Sequence, residues 1–369
     1  MQFASLYCLV QIEMNEEKFF SLKKTGILVT AIGLFIFLLY LYLFVPFGDF
    51  VSYIRQADPF YYSLAFAAML LSVAFYSLVW QRLLHLLSVK TSFWKTFQFV
   101  WVGSFVDLLI PAESISGDIS RVYLMSKESR EDAGKVVASV IGHRILTATI
   151  TLAGLVISSI YFAVRYNPPL FVMEFVGVIG AGTLLSIFLI FYLSKKRRAT
   201  EKIVDWIIGL GVRLSRGRWK FERLKKQAEK MLKAFHDGID ALSIRPMRLT
   251  LPVSLAIIAW ILDLSVAFFV FKSLNVQVYF SAIVIVYSLS VAIQTIPIGI
   301  PGEVGLLDVL MAILYTYMLG IPDIEKARAV SAVATVLIRI LTLWVRLLIG
   351  GLTVQWLGIK GVRAPSTPS

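Results

Sequence analysis

The sequence predicts an all-α, polytopic transmembrane helix bundle of six to eight spans, two of them re-entrant or broken helical elements. Three observations predict it. Hydrophobic residues make up 58% of the 369 positions, and the mean hydropathy is +0.79. Several apolar runs exceed the roughly 18 residues needed to cross a bilayer. Two further apolar stretches are cut by Pro, Gly and charged residues, and such backbone is tolerated at membrane depth only when buried in protein or lining a wet cavity.

Residues 1–24 read as a cytoplasmic N-terminal segment carrying Lys18, Lys23 and Lys24. An apolar stretch, Met1–Ile12, precedes Met14-Asn15-Glu16-Glu17, so Met14 is an alternative start. The membrane domain covers 25–357. Its first span is Thr25–Pro46, too long a run for a signal-peptide core. Phe60–Trp80 is the second, followed by a loop with Arg82, Lys90 and Lys95 that belongs inside by its charge. Thr96–Ile110 is short for a span and ends at Pro111, which disfavours helix at the residue before it. The segment after it is basic again, so the economical reading is a re-entrant element entering from the inside. Val136–Val164 and Leu170–Leu193 form a long pair. The basic loop 194–248 follows, and Trp219–Leu242 within it has helical spacing of Phe221, Leu224, Ala228, Met231, Phe235 and Ile239. That helix lies either on the membrane surface or against the protein. Leu249–Phe271 is the next span, with Asp263 at its middle. Tyr279–Ile296 runs into Pro297-Ile298-Gly299-Ile300-Pro301-Gly302, through which no helix continues smoothly. Leu306–Leu319 is short, Pro322–Arg328 is a polar connection, and Ala329–Leu357 closes the domain with Arg339 and Arg346 inside it. Residues 358–369 are a cytoplasmic tail.

The formal net charge is +13. Loop 194–248 holds 16 Lys/Arg against 6 Asp/Glu, a surplus of 16 − 6 = 10. The positive-inside rule accounts for it, and contact with anionic head groups is compatible with it. No nucleic-acid-binding motif accompanies the charge. The one cysteine, Cys8, excludes an internal disulfide framework and a cysteine metal cluster, and His85, His143 and His236 form no ligand motif. No cofactor or metal is expected.

Charged residues at membrane depth usually mark a pathway or a binding site. The first cluster is Pro111-Ala112-Glu113-Ser114-Ile115-Ser116-Gly117-Asp118-Ile119-Ser120-Arg121, with His143-Arg144 about twenty residues on. The second is Pro301-Gly302-Glu303-Val304-Gly305-Leu306-Leu307-Asp308, with Arg339 following. Asp118 and Arg121 are spaced to pair on a helix, as a capping ion pair or as part of a phosphate or carboxylate site beside Gly117. Arg144 and Arg339 should face the bundle interior, as permanent ion pairs or as ligand contacts. Their candidate partners are Glu113, Asp118, Glu303, Asp308 and Asp263. His143 reads first as a hydrogen-bonded packing residue and second as a proton relay. Val137-Ala138-Ser139-Val140-Ile141-Gly142-His143-Arg144-Ile145-Leu146 resembles Val333-Ala334-Thr335-Val336-Leu337-Ile338-Arg339-Ile340-Leu341 with one gap. Paired interrupted segments in corresponding halves point to an inverted repeat with a midplane site.

The combination Pro111, Gly117-Asp118, Arg121, Ala138-Ser139-Val140, Arg144 and Pro301-Gly302-Glu303-Val304-Gly305 with Asp308 resembles the lysylphosphatidylglycerol synthase transmembrane region family of flippase-like membrane proteins. The resemblance runs from about residue 25 to 355. Asp118 and Asp308 stand where that family has Glu, and Glu303 where it has Gly. The soluble aminoacyl-transfer domain of the full synthases is not expected here. The resemblance implies a membrane domain that recognises and translocates a lipid with a polar head group.

The expected function is therefore a multi-pass cell-membrane protein, not an enzyme, that binds and moves a lipid or lipid-linked precursor between leaflets. Arg121, Arg144 and Arg339 would hold an anionic head group, with Asp118, Glu303 and Asp308 as their partners in the empty state and Gly117 allowing close approach. Pro111, Pro297, Pro301, Gly302 and Gly305 would form the gating breaks. The alternative is a non-transporting scaffold for a partner membrane enzyme of lipid or glycan synthesis. An intramembrane enzyme lacks any supporting motif: there is no His-Glu-x-x-His and no nucleophile motif.

Overall fold

The computed structural model describes residues 39, 47–109, 115–166, 168–202, 221–244, 246–295 and 300–358. The expected first span Thr25–Pro46, Glu113, Pro111 and Pro297 lie outside the described residues or at their edge. Within them the fold is helical throughout, as the sequence predicts. The α-helices are α1 (Phe47–Gln56), α2 (Pro59–Leu86), α3 (Phe93–Leu109), α4 (Ile115–Ser129), α5 (Ala133–Tyr166), α6 (Leu170–Lys195), α7 (Phe221–Ile244), α8 (Thr250–Ser273), α9 (Phe280–Ile293), α10 (Leu306–Met318), α11 (Ile324–Arg339) and α12 (Arg346–Trp356). Short 3-10 turns occupy Pro246–Leu249 and Pro301–Glu303, and a π-helical segment, Ile340–Val345, joins α11 to α12.

Among the described residues five helical stretches are long and apolar enough to cross a membrane: Pro59–Leu86, Ala133–Tyr166, Leu170–Lys195, Met247–Ser273 and Ile324–Trp356. The last begins earlier than the apolar run suggests. Asp323 caps it, accepting from the amides of Glu325 at 3.0 Å and Lys326 at 3.2 Å, so the polar stretch expected to be a connection is already the first turns of helix. Asp58 caps α2 in the same way, taking the Phe60 amide at 2.8 Å, with Pro59 in the first turn.

The bundle has two distinct ends. At one end the Asp58 amide donates to the Ser273 carbonyl at 2.7 Å, joining the start of α2 to the end of α8. The Tyr166 and Tyr279 rings stack at 4.0 Å there, joining the end of α5 to the start of α9. A Cβ on Gly320 would sit 3.2 Å from the Tyr279 ring, which brings the α10–α11 turn to the same end. The other end is basic. It holds the last turn of α2, the start of α5, the end of α6 and helix α7. Gly238 of α7 lies so close to α5 that an added Cβ would meet the Ala138 Cβ at 2.7 Å. Leu232, Phe235 and Ile239 of α7 are buried. Ion pairs Lys195–Asp240 (3.2 Å) and Lys230–Asp132 (3.6 Å) flank that contact. Helix α7 therefore packs on the protein, which settles one of the two readings left open for its apolar face.

Helices α3 and α4 form a hairpin whose open end is basic: Lys95 near the start of α3 pairs with Glu128 near the end of α4 at 3.2 Å. Helices α9 and α10 form a second hairpin that enters from the opposite end. The two tips meet. A Cβ on Gly302 would fall 2.7 Å from Leu343 and 3.6 Å from Leu108, the penultimate residue of α3. Two half-length elements thus approach each other from opposite sides, the arrangement that the paired breaks in the sequence point to.

Candidate functional site

The first hairpin turns on Asp107, a residue the sequence reading passed over. Helix α4 must start at depth with its first amides unsatisfied. Asp107, near the end of α3, supplies the acceptor: its Oδ1 takes the Gly117 amide at 2.6 Å and the Ser116 hydroxyl at 3.0 Å. Only glycine fits at 117, because a Cβ would collide with the Asp107 carboxylate and the Gly103 carbonyl. Gly103 is constrained in turn, with Arg121 Cγ 2.8 Å from where its Cβ would be. The signal for Asp107 was present: a lone acid inside an apolar run, four residues before Pro111.

One turn into α4, Asp118 serves two arginines. Its Oδ1 pairs with Arg121 on the same helix, and its Oδ2 accepts from Arg144 Nη2 of α5 at 2.5 Å. Arg121 lies over the Trp80 ring at 5.0 Å and the Tyr76 ring at 5.6 Å, an arrangement that attracts a guanidinium to the ring face. Trp80 is fixed by its Nε1–H bond to Ser139 at 3.0 Å. His143 packs against the Tyr76 ring at 4.1 Å with the planes tilted by 41°, is 1% exposed, and neither ring nitrogen has a hydrogen-bond partner. The expected packing role is met by ring contact rather than by hydrogen bonds. Arg121 Nη1 is likewise buried without a partner. Asp107, Asp118, Arg121 and Arg144 sum to zero formal charge, which makes a four-charge cluster tolerable in a dry setting.

The second hairpin repeats the plan with different atoms. Gly305 carries φ +87, and its amide donates to Asp308 Oδ2 at 2.7 Å, so the first turn of α10 caps its own start. Asp308 Oδ1 accepts from Arg339 Nε at 2.8 Å, and Arg339 Nη2 reaches the Gly302 carbonyl at 2.6 Å. Gly302 and Glu303 both have positive φ, +60 and +47. The Glu303 carboxylate accepts from Gln294 Nε2 at 3.2 Å. A carboxylate in the first turn of the returning half-helix, bonded to an arginine on the next long helix, is thus common to both halves.

The pairs differ in access. Arg121 and Asp118 are sealed, at 7% and 3% side-chain exposure, as are Arg339 and Asp308, at 6% each. Arg144 is 27% exposed and is the open edge of the first cluster. A third pair exists that the sequence offered only as a partner list. Arg346 Nη2 bonds Asp263 Oδ1 at 3.0 Å, and the Tyr287 hydroxyl donates to Asp263 Oδ2 at 3.1 Å. In a regular α-helix, residues seven apart drift only about 20° around the axis. The π-helical segment between Arg339 and Arg346 opens the turn, so Arg339 faces α10 while Arg346 faces α8.

Among the described residues no group of three or more His, Cys, Asp or Glu side chains is placed to hold a metal ion. The site offers forks of guanidinium donors, each held by a carboxylate, at membrane depth.

A family model described as the lysylphosphatidylglycerol synthase TM region matches residues 30–350. The chain belongs to that family. Among similar proteins is a UPF0104 membrane protein of Methanothermobacter thermautotrophicus, 26% identical over 345 residues, covering 91% of this chain and 97% of the relative. Another is a UPF0104 membrane protein of Pyrococcus horikoshii, 24% identical over 305 residues, covering 82% and 89%. The match to family members spans both hairpins and both arginine-bearing helices that follow them.

Proposed function

We propose that this family member binds a lipid, or a lipid-linked precursor, through an anionic head group and translocates it between the leaflets of the cell membrane, without catalysing a covalent reaction. The observation that carries the reading is the sharing of Asp118 by Arg121 and Arg144. One carboxylate holds two guanidiniums, Arg121 keeps an unsatisfied Nη1, and Arg144 opens to the surroundings. An incoming phosphate offers more acceptor oxygens than the carboxylate, in the geometry a guanidinium fork fits. It would take over Arg144 first and Arg121 second. Asp107 would keep the start of α4 capped meanwhile, so the exchange leaves the hairpin backbone satisfied.

In this reading the hairpin tips at Gly117 and at Pro301–Gly305 are the moving parts. Arg339 secures the second tip through Asp308 and the Gly302 carbonyl. The basic end of the bundle, with loop 194–248, faces the anionic cytoplasmic leaflet.

The test is leaflet exchange in liposomes. Purified protein reconstituted with fluorescent phosphatidylglycerol should accelerate the loss of dithionite-protected signal, and Arg121→Gln should abolish that acceleration while expressing normally. An Arg121→Gln protein that exchanges lipid like the wild type removes the site assignment. A wild-type protein that exchanges none of several head groups removes translocation and leaves the scaffold reading.

A further inference from the structure

The Asp263–Arg346 pair lies outside both motif clusters, yet it is built like the open edge of the first. Arg346 and Asp263 are 25% and 23% exposed. Asp263 is the fourteenth residue of the 24-residue helix α8, well inside the span. Ionised groups opening toward hydrocarbon are costly, and in membrane bundles they line wet cavities or routes for polar groups. The fold shows with Asp308–Arg339 that it can seal such a pair, at 6% exposure. It does not seal this one. Arg346 is also under-used: Nη2 bonds Asp263, while Nε is buried with no partner, so one guanidinium donor is spare. The Trp260 Nε1, one turn earlier on α8, has no partner either.

The pair connects to the first cluster through two tyrosines. Tyr287 donates to Asp263 and lies within electrostatic range of Tyr76, which contacts both Arg121 and His143. Tyrosine side chains thus stand between one arginine pair and the other.

We propose that Arg346, with Tyr287 as a second donor, forms a further anion site that takes a phosphate-ester group, and that Asp263 occupies it when no ligand is present. If head groups enter at Arg144, as the function above has it, this is their next station. The site takes the phosphate oxygens in the fork of Arg346, using the spare Nε, and the Tyr287 hydroxyl turns from Asp263 to the same group. Asp263 is then the competitor that returns when the ligand leaves.

The experiment is a calorimetric titration of the purified full chain, in uncharged detergent, with short-chain dihexanoyl phosphatidylglycerol. The wild type is expected to bind two equivalents, and Arg346→Gln and Arg144→Gln one each. Asp263→Asn should still bind two, one of them about tenfold tighter, because a charged competitor has been removed. That gain is not expected of a pair that merely fastens helices, and it guards against Arg346→Gln simply failing to fold. Two equivalents retained in Arg346→Gln, or no tightening in Asp263→Asn, overturns this site while leaving Arg144 in place. Unchanged binding in Arg144→Gln strikes the first site instead. A parallel titration with inorganic phosphate separates the sources: competition at the Arg346-dependent site means a free anion suffices, and its absence means that a lipid-borne phosphate ester is required, either result upholding the site.

Discussion

The Gly117 amide donates to Asp107 Oδ1 at 2.6 Å, across the break of the first hairpin. One helix thereby finishes by capping the next, and the contact leaves no room for a side chain at 117. Gly117→Ala should lower stability by about 2–3 kcal/mol, the usual scale of forced overpacking. The thermal unfolding midpoint in detergent, read by circular dichroism, checks this. An unchanged midpoint would mean that the hairpin has slack the structure does not contain.

Asp107→Ala should be worse for activity than for expression. It removes the acceptor for the Gly117 amide and the Ser116 hydroxyl, at a cost of about 1–2 kcal/mol for a lost cap. Asp107→Asn keeps an acceptor oxygen and should recover most of that stability. Hydrogen exchange of residues 116–119 reports the cap directly.

Arg339→Gln should destabilise the protein by about 3–5 kcal/mol, because it strands Asp308 in a site 4% exposed. Asp308→Asn added to it should restore part of the loss, and a double-mutant cycle measures the coupling. Full activity in the destabilised single mutant would show that the second tip need not be held.

Arg144→Lys keeps the charge but loses the fork. Leaflet exchange should fall about tenfold with the unfolding midpoint nearly unchanged, since Arg144 is the exposed member of its cluster. Equal activity would mean that charge alone is read.

At the basic end, the His236 ring nitrogen Nδ1 bonds the Ser194 carbonyl at 3.0 Å, tying α7 to the end of α6. Burial holds its pKa below the usual histidine value; the Ser194 carbonyl opposes that shift and Arg197 adds to it. A depressed folded-state value means the neutral form is favoured on folding. Its contribution is present in full above about pH 6.5 and is lost as pH falls through the lower folded value. Hydrogen-exchange protection factors in residues 232–240, taken relative to the intrinsic rate at each pH, should therefore fall between pH 7.5 and 5.5, and His236→Gln should flatten that dependence.

The hairpins were legible because proline and glycine interrupt apolar sequence at Pro111 and at Pro301-Gly302, where no helix can pass. The pairing of Asp118 with Arg121 was legible from their spacing, whereas Asp308 stood among five candidate acids for Arg144 and Arg339 and the structure selects it for Arg339. Asp107 was marked only as a lone acid in an aromatic run, and its role could not be read from that, because a single acid gives no periodic signal and the helix it caps begins beyond a break. The π-helical turn was hidden for a related reason. Ile340-Leu341-Thr342-Leu343-Trp344-Val345 is almost wholly apolar, so a shift of the helical phase moves no polar residue out of place. Regular helical phase would place Arg346 on the face of Arg339, whereas it turns to a different helix. For α7, Gly238 was the available clue: a glycine amid helix-forming residues marks a close approach to another backbone, here that of α5.

The meeting of Leu108 with Gly302 has a mechanical consequence. A transmembrane helix is a continuous rod of backbone hydrogen bonds, and a push at one end arrives at the other. In the column formed by the two hairpins the rod is severed at half height. Each half hangs from its own rim of the bundle, and among the described residues they approach at the cut through Leu108 and Gly302. On the proposed function, either half could be drawn back toward its own leaflet while the other stays seated, two pistons in one cylinder.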